Sequence, residues 1–211
     1  MTGKIITVAQ QKGGSGKTTV SVGLAMAAAE SGLDVALIDS DPQGSLGRWF
    51  MARHEAGRAD GLSFSTASAW GIAFECDKLK SDHDLVIVDT PPKVDADLRP
   101  AFRASDLILV PVAASQVDLW ATESVLELAS REDKPVMVVL NRAKGGTRLA
   151  DEIGKQLVDL DCLRAKTVLA NRVIYAESLG LGKSVGEMKR TGPANAEMTA
   201  FYSEVKKQAK L

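Results

Sequence analysis

Apolar residues in this chain gather in short runs rich in Val, Ile and Leu. Residues 4–9 (Lys-Ile-Ile-Thr-Val-Ala), Val35–Ile38, Leu85–Val88, Leu107–Pro111 and Val136–Asn141 each read as a buried strand. Residues 62–66 (Leu-Ser-Phe-Ser-Thr) alternate apolar with polar and read as a more peripheral strand, and residues 166–170 as a late one. The stretches between several runs change period. Val20, Leu24, Ala27 and Ala28 recur at helical spacing up to Gly32, which suits a C-terminal cap. Leu119, Val125, Leu126 and Ala129 predict a helix over 117–129, with further helices over 148–160 and 194–208. Strands alternating with helices imply an α/β fold: a doubly wound, mostly parallel sheet with helices on both faces. No repeat, low-complexity tract or clear linker divides residues 1–211, so one domain is expected. Residues 53–61 read as a loop-like insertion too short to separate domains.

Candidate chemistry sits where three of the strand runs end. After the first comes Gln10-Gln-Lys-Gly-Gly-Ser-Gly-Lys-Thr-Thr19. The pattern G-x-x-x-x-G-K-S/T is met at Gly16-Lys17-Thr18, but its opening glycine would fall on Gln11, and Lys12-Gly13-Gly14 stands in its place. Strand, glycine-rich turn and helix are the setting in which backbone N–H groups of Gly13, Gly14, Ser15 and Gly16 wrap phosphate oxygens. Lys17 would meet the β- and γ-phosphates, Thr18 would hold Mg2+, and Thr19 would lie near the α-phosphate. One lysine suffices for that neutralisation, so Lys12 suggests a nucleotide gripped by two subunits. The second run ends in Asp39-Ser-Asp41-Pro-Gln43, and the third in Asp89-Thr-Pro-Pro92. Ligands of open α/β sheets bind beyond the carboxyl ends of the strands, so these acids would face Mg2+ and an attacking water. Asp89, after four apolar residues, has the position of the acid that holds the metal through its water shell.

Together, Lys12-Gly-Gly-Ser-Gly-Lys-Thr-Thr19, Asp39-Ser-Asp41-Pro-Gln43 and Val88-Asp89-Thr-Pro-Pro92 resemble the ParA/MinD family of deviant-Walker ATPases. The resemblance implies a P-loop fold, ATP and Mg2+ as cofactors, and slow, partner-stimulated hydrolysis to ADP and phosphate. It implies that Lys12 reaches across an ATP-bound homodimer, that Asp41 positions the hydrolytic water, and that Asp39 lies near the magnesium. The expected catalytic residues are therefore Lys12, Lys17 and Asp41, and the expected metal-associated ones Thr18, Asp39 and Asp89. Asn141 follows a strand where related nucleotide enzymes place an adenine contact, although a simple turn explains it equally well. Pro111–Asp118 resembles the family segment that lines the dimer face, and there too a purely structural role is as good an account. Short ParA-type proteins bind DNA without sequence preference in their ATP state and work with a ParB-like or other adaptor that stimulates hydrolysis. By resemblance this chain would position plasmid, chromosome or protein cargo, and it would be cytoplasmic and nucleoid-associated.

Composition narrows the alternatives. Hydrophobic residues make up 45% and charged residues 25% of the chain, which excludes a disordered protein. No apolar run approaches membrane-spanning length, and no signal peptide is recognised. Cys76 and Cys162 are far apart and outside metal spacing, so both are expected as buried, reduced thiols. That also excludes the cluster-ligating nitrogenase iron-protein branch. His54 and His83 lie in polar stretches and read as surface residues. Net charge is −1, but residues 134–211 hold 14 Lys and Arg against 8 Asp and Glu. A basic C-terminal half could supply a phosphate-contacting surface once two subunits pair, with Arg142, Lys144, Arg148, Arg172, Lys189 and Arg190 as candidates, although ordinary solvated lysines account for the imbalance as well. Arg172, Lys189 and Arg190 are the main DNA candidates, Arg172 being placed best by the resemblance. The chain opens almost directly on its first strand, so an N-terminal helix-turn-helix domain is not expected. A MinD-like membrane regulator is the nearest rival, because Met198, Phe201, Tyr202 and Val205 sit beside Lys206, Lys207 and Lys210. A helix packed on the domain fits that pattern better, and no membrane partner is expected. A metabolic ligase resembling dethiobiotin synthetase, using the same loop, is a third reading.

Overall fold

In the computed structural model, which describes residues 3–93 and 96–211, seven strands form one parallel sheet in the order β3-β2-β4-β1-β5-β6-β7. The strands are β1 (Lys4–Val8), β2 (Val35–Asp39), β3 (Leu62–Thr66), β4 (Leu85–Asp89), β5 (Leu107–Ala113), β6 (Val136–Asn141) and β7 (Leu163–Arg164). β1, β2, β4, β5 and β6 match the apolar runs, and β3 takes the peripheral edge position that its alternation implies. The expected late strand at 166–170 does not form as such. Glu204 accepts hydrogen bonds from the backbone N–H of Lys166 and Thr167 at 2.6 and 2.9 Å, which turns the chain there. The regular edge strand is Leu163–Arg164, and Ala170 keeps a single bridge to Ala143.

Helices cover both faces. On one lie α1 (Lys17–Glu30), α2 (Ser45–Glu55), α7 (Val173–Gly180), α8 (Val185–Met188) and α9 (Pro193–Ala209). On the other lie α3 (Ile72–Asp82), α4 (Arg99–Ala104), α5 (Gln116–Arg131) and α6 (Arg148–Gln156). Alternate residues of β1 divide between the two: Ile6 and Val8 join the core under α1 and α9, and Ile5 joins the core under α3. α1 stops as expected at Gly32, whose φ of +90° lets Gly32 N–H and Leu33 N–H reach Ala29 O and Ala28 O. The expected helix at 148–160 is shorter, ending at Gln156, with turns following. Residues 53–55 of the expected insertion belong to α2, so the loop begins only at Ala56.

Two smaller expectations are adjusted, and one, the packing of the last helix, is met. Cys76 is buried, which pushes its thiol up to about 12, whereas Cys162 is only half-buried. His54 is exposed, but His83 is half-buried and holds Leu79 O and Ser63 Oγ, joining α3 to the edge strand. The apolar face of α9 is turned inward: Met198, Phe201, Tyr202 and Val205 are all buried against the core that contains α1. No helix among the described residues is long and apolar enough to cross a membrane.

Candidate nucleotide site

Sheet register brings the acids together. Asp39 of β2 and Val8 of β1 both pair with Asp89 of β4, so one row at the carboxyl edge carries two carboxylates beside the start of the loop. The loop itself follows β1 in the middle of the sheet and ends at the first turn of α1. Gly16 has φ +95°, and a Cβ there would lie 2.4 Å from Asn141 Nδ2, so only glycine fits on both counts. Asn141 Nδ2 donates to Ser15 O at 2.7 Å, which ties the loop to the end of β6. Asn141 is buried beneath the loop in this structure.

Thr18 Oγ1 donates to Asp89 Oδ2 at 2.7 Å, and Ser21 Oγ donates to Asp89 Oδ1 at 3.1 Å. Burial pushes the Asp89 carboxyl up to about 7, with the nearby Asp39 adding to the rise and the two hydroxyls opposing it. Lys17 is buried, and desolvation lowers its ammonium pKa against the attraction of Asp89 and Asp41. Asp39 is also raised by burial, and its oxygens accept from Asp41 N–H at 3.0 Å and Gly47 N–H at 2.8 Å. Those bonds make Asp39 the post on which residues 40–47 are hung. Asp41 is half-buried, accepts from Gln43 N–H, and borders the cavity.

That cavity has a volume of about 470 Å³ and lies over Gly13, Gly14, Gly16, Lys17, Thr18 and Thr19, between α2 and the end of α7. Ser15 points inward instead, its buried hydroxyl unpartnered among the described residues. Lys12 is not among the residues that border it. Its ammonium is 2.5 Å from Asp118 Oδ2 on the first turn of α5, where Asp118 is almost wholly buried. Ser115 Oγ donates to the same carboxylate oxygen. Gln10, fully buried, donates to Thr122 Oγ1 at 3.2 Å and fixes the loop's entry to the same helix.

The DNA candidates are dispersed. Arg172 stands at the N-cap position of α7, its guanidinium donating to Glu197 Oε1 at 3.0 and 2.5 Å. Lys189 and Arg190 are exposed just after α8. Arg142 borders the nucleotide cavity. Sequence reasoning missed Gln10, Ser21 and Arg48 altogether. Only Ser21 had a usable signal, lying one helical turn beyond Thr18 and so on the face that meets the strand ends.

A parallel sheet that builds a glycine loop after its central strand and sets carboxylates at the ends of the neighbouring strands is a P-loop nucleotide-binding domain. The family model for the CobQ/CobB/MinD/ParA nucleotide binding domain matches residues 6–185, and the chain belongs to that family. It is 29% identical over 210 residues to the maintenance of carboxysome distribution protein A of Halothiobacillus neapolitanus, covering 95% of each chain. It is 28% identical over 243 residues to the chromosome-partitioning ATPase Soj of Thermus thermophilus, covering 95% of this chain and 94% of Soj. The fold is similar to the cell division ATPase MinD of Pyrococcus furiosus, with a TM-score of 0.81, 20% identity and coverage of 98% of this chain and 100% of MinD.

Proposed function

We propose that the chain is a positioning ATPase that binds ATP with Mg2+, pairs with a second copy while ATP is bound, and holds DNA nonspecifically in that paired state. A ParB-like or other adaptor then stimulates hydrolysis, and the pair opens and releases DNA. The observation that carries the paired state is the placement of Lys12. It belongs to the phosphate loop, yet it stands outside its own protomer's cavity on Asp118, with its side chain 41% exposed. Relatives named for carboxysome distribution and chromosome partitioning support a role in distributing cargo.

The residues divide the work of phosphoryl transfer, which needs positioning and charge stabilisation more than covalent chemistry. Loop N–H groups from Gly13 to Gly16 and the start of α1 hold the phosphates, and Lys17 meets the β- and γ-phosphates. Thr18 and Asp89 offer hydroxyl and carboxylate oxygens, a donor set that fits the hard Mg2+ ion, with Asp39 supporting it from behind. Mg2+ bound there would neutralise phosphate charge. Asp41, at the cavity edge, orients the water that attacks the γ-phosphorus as the bond to the β–γ bridging oxygen breaks. Lys12 from the second copy adds positive charge to the leaving phosphates.

The membrane reading is weakened by α9, whose apolar residues are already buried. Cosedimentation of the full chain with random-sequence DNA or with anionic liposomes, in ATP and in ADP, decides the function. ATP-dependent DNA pelleting is expected. Liposome pelleting would replace this reading with a membrane regulator, and pelleting with neither would favour a ligase.

A further inference from the structure

Two arginines approach the phosphate loop from opposite sides. The segment after β2 leads into α2 and Arg48, and the end of β6 leads to Arg142; each of these strands lies two positions from β1 in the sheet. Both residues border the cavity over Lys17–Thr19. Both are exposed, and among the described residues neither has an ion pair or a side-chain hydrogen bond. Arginines elsewhere are engaged, Arg190 apart: Arg53 with Glu187, Arg103 with Glu132, Arg148 with Glu152, Arg172 with Glu197.

Arg142 has a second peculiarity. Its φ is +51°, a left-handed backbone that an ordinary side chain adopts only where the surroundings enforce it. Its side chain lies across the glycine face of the loop, with Nη1 3.9 Å from where a Cβ on Gly14 would stand and Nε 4.0 Å from that of Gly16. Those are the positions whose backbone cradles phosphate. Charge also asks for these groups. Apart from these two arginines, Lys17 is the only cation among the described residues that border the cavity, and Asp41 and Asp89 lie near it, so little of the protomer's other charge is left to meet a polyphosphate. Guanidinium forks match phosphate oxygens in pairs, which a lysine cannot do.

We propose that Arg48 and Arg142 bind the nucleotide phosphates from the two sides of the loop within a single protomer, so that nucleotide is loaded before Lys12 is given to a second copy. Arg142 thereby serves the nucleotide rather than DNA. The inference rests on reading the cavity as the ATP site. Equilibrium binding of fluorescently labelled ADP and ATP, with Mg2+, tests it on the full chain against Arg48→Gln, Arg142→Gln, the double variant and Arg142→Lys. Each Gln variant should bind about tenfold more weakly and the double variant about a hundredfold, with Arg142→Lys recovering part of the loss. Inorganic tripolyphosphate, used as competitor, should weaken by the same factor. Unchanged affinity in the Gln variants overturns the proposal and leaves the ATP reading standing. A loss for nucleotides but not for tripolyphosphate overturns it in favour of a base contact. A wild-type chain that binds neither nucleotide defeats the ATP reading itself. Thermal melting shows whether each variant is folded, which two exposed, unpaired side chains should not disturb.

Discussion

Lys12 and Lys17 stand in one loop, yet the fold treats them in opposite ways. Lys17 is buried at the start of α1 with carboxylates nearby, and its ammonium is disfavoured by burial. Lys12 is 41% exposed at its side chain and already carries a carboxylate partner on α5. The protomer thus keeps one lysine at its cavity and holds the other away from it. In the proposed cycle the contrast separates binding from pairing: Lys17 would serve the ligand of its own chain, and Lys12 that of a second copy.

The largest expected effect tests the first half of that contrast. Lys17→Met should abolish nucleotide binding, raising Kd at least a hundredfold by isothermal calorimetry, while the ligand-free fold melts at the same or a higher temperature because a desolvated charge is gone. Lys12→Ala should leave ADP affinity within about threefold but remove ATP-dependent dimers and lower turnover about a hundredfold. Normal dimers in light scattering would defeat the contrast. Asp41→Ala should preserve those dimers while turnover again falls by about two orders of magnitude, since the water loses its orienting group.

Two smaller effects concern stability. The Asp89 carboxyl is raised in the fold to about 7, so between its ordinary titration range and that value the unfolded chain releases the proton more readily. Ligand-free stability therefore falls as pH rises from about 4 to about 7 and levels off above. Asp89→Asn should remove that slope and be more stable at pH 8 by on the order of 4 kcal/mol, the two proteins converging near pH 4. Urea titrations across the range without Mg2+ or nucleotide would show it. Asp118→Ala should cost about 1–2 kcal/mol, since Ser115 and Lys12 lose their acceptor but Lys12 can turn to water.

The five inner strands and the loop were legible because β-branched runs and a glycine-lysine signature need no tertiary information. α2 was half hidden for a physical reason: its buried stripe is Leu46, Trp49 and Arg53, so an arginine fills an apolar position. Arg53 is accommodated there by Glu187 and Gly182 O, partners far along the chain, and by the Trp49 ring one turn back. The strand expected at 166–170 was lost to a single carboxylate, Glu204, from α9. Within the site, Lys12 with Asp118 and Asn141 with Ser15 join residues 106 and 126 positions apart, which local pattern does not reveal. Arg142 read as one more exposed cation because its left-handed backbone exists only against the loop it crosses.

α9 covers α1, and the hydroxyls of Ser31 and Tyr202, 171 positions apart, close on each other at 2.8 Å. The helix that begins at the phosphate loop therefore waits for a segment made about 170 residues later before its outer face is shielded. β1 likewise waits for β4 and β5, which follow it in the chain, to flank it. Contacts of such separation make folding slow and leave the nascent chain exposed to aggregation. Nucleotide competence is thus acquired well after its sequence signature has been translated.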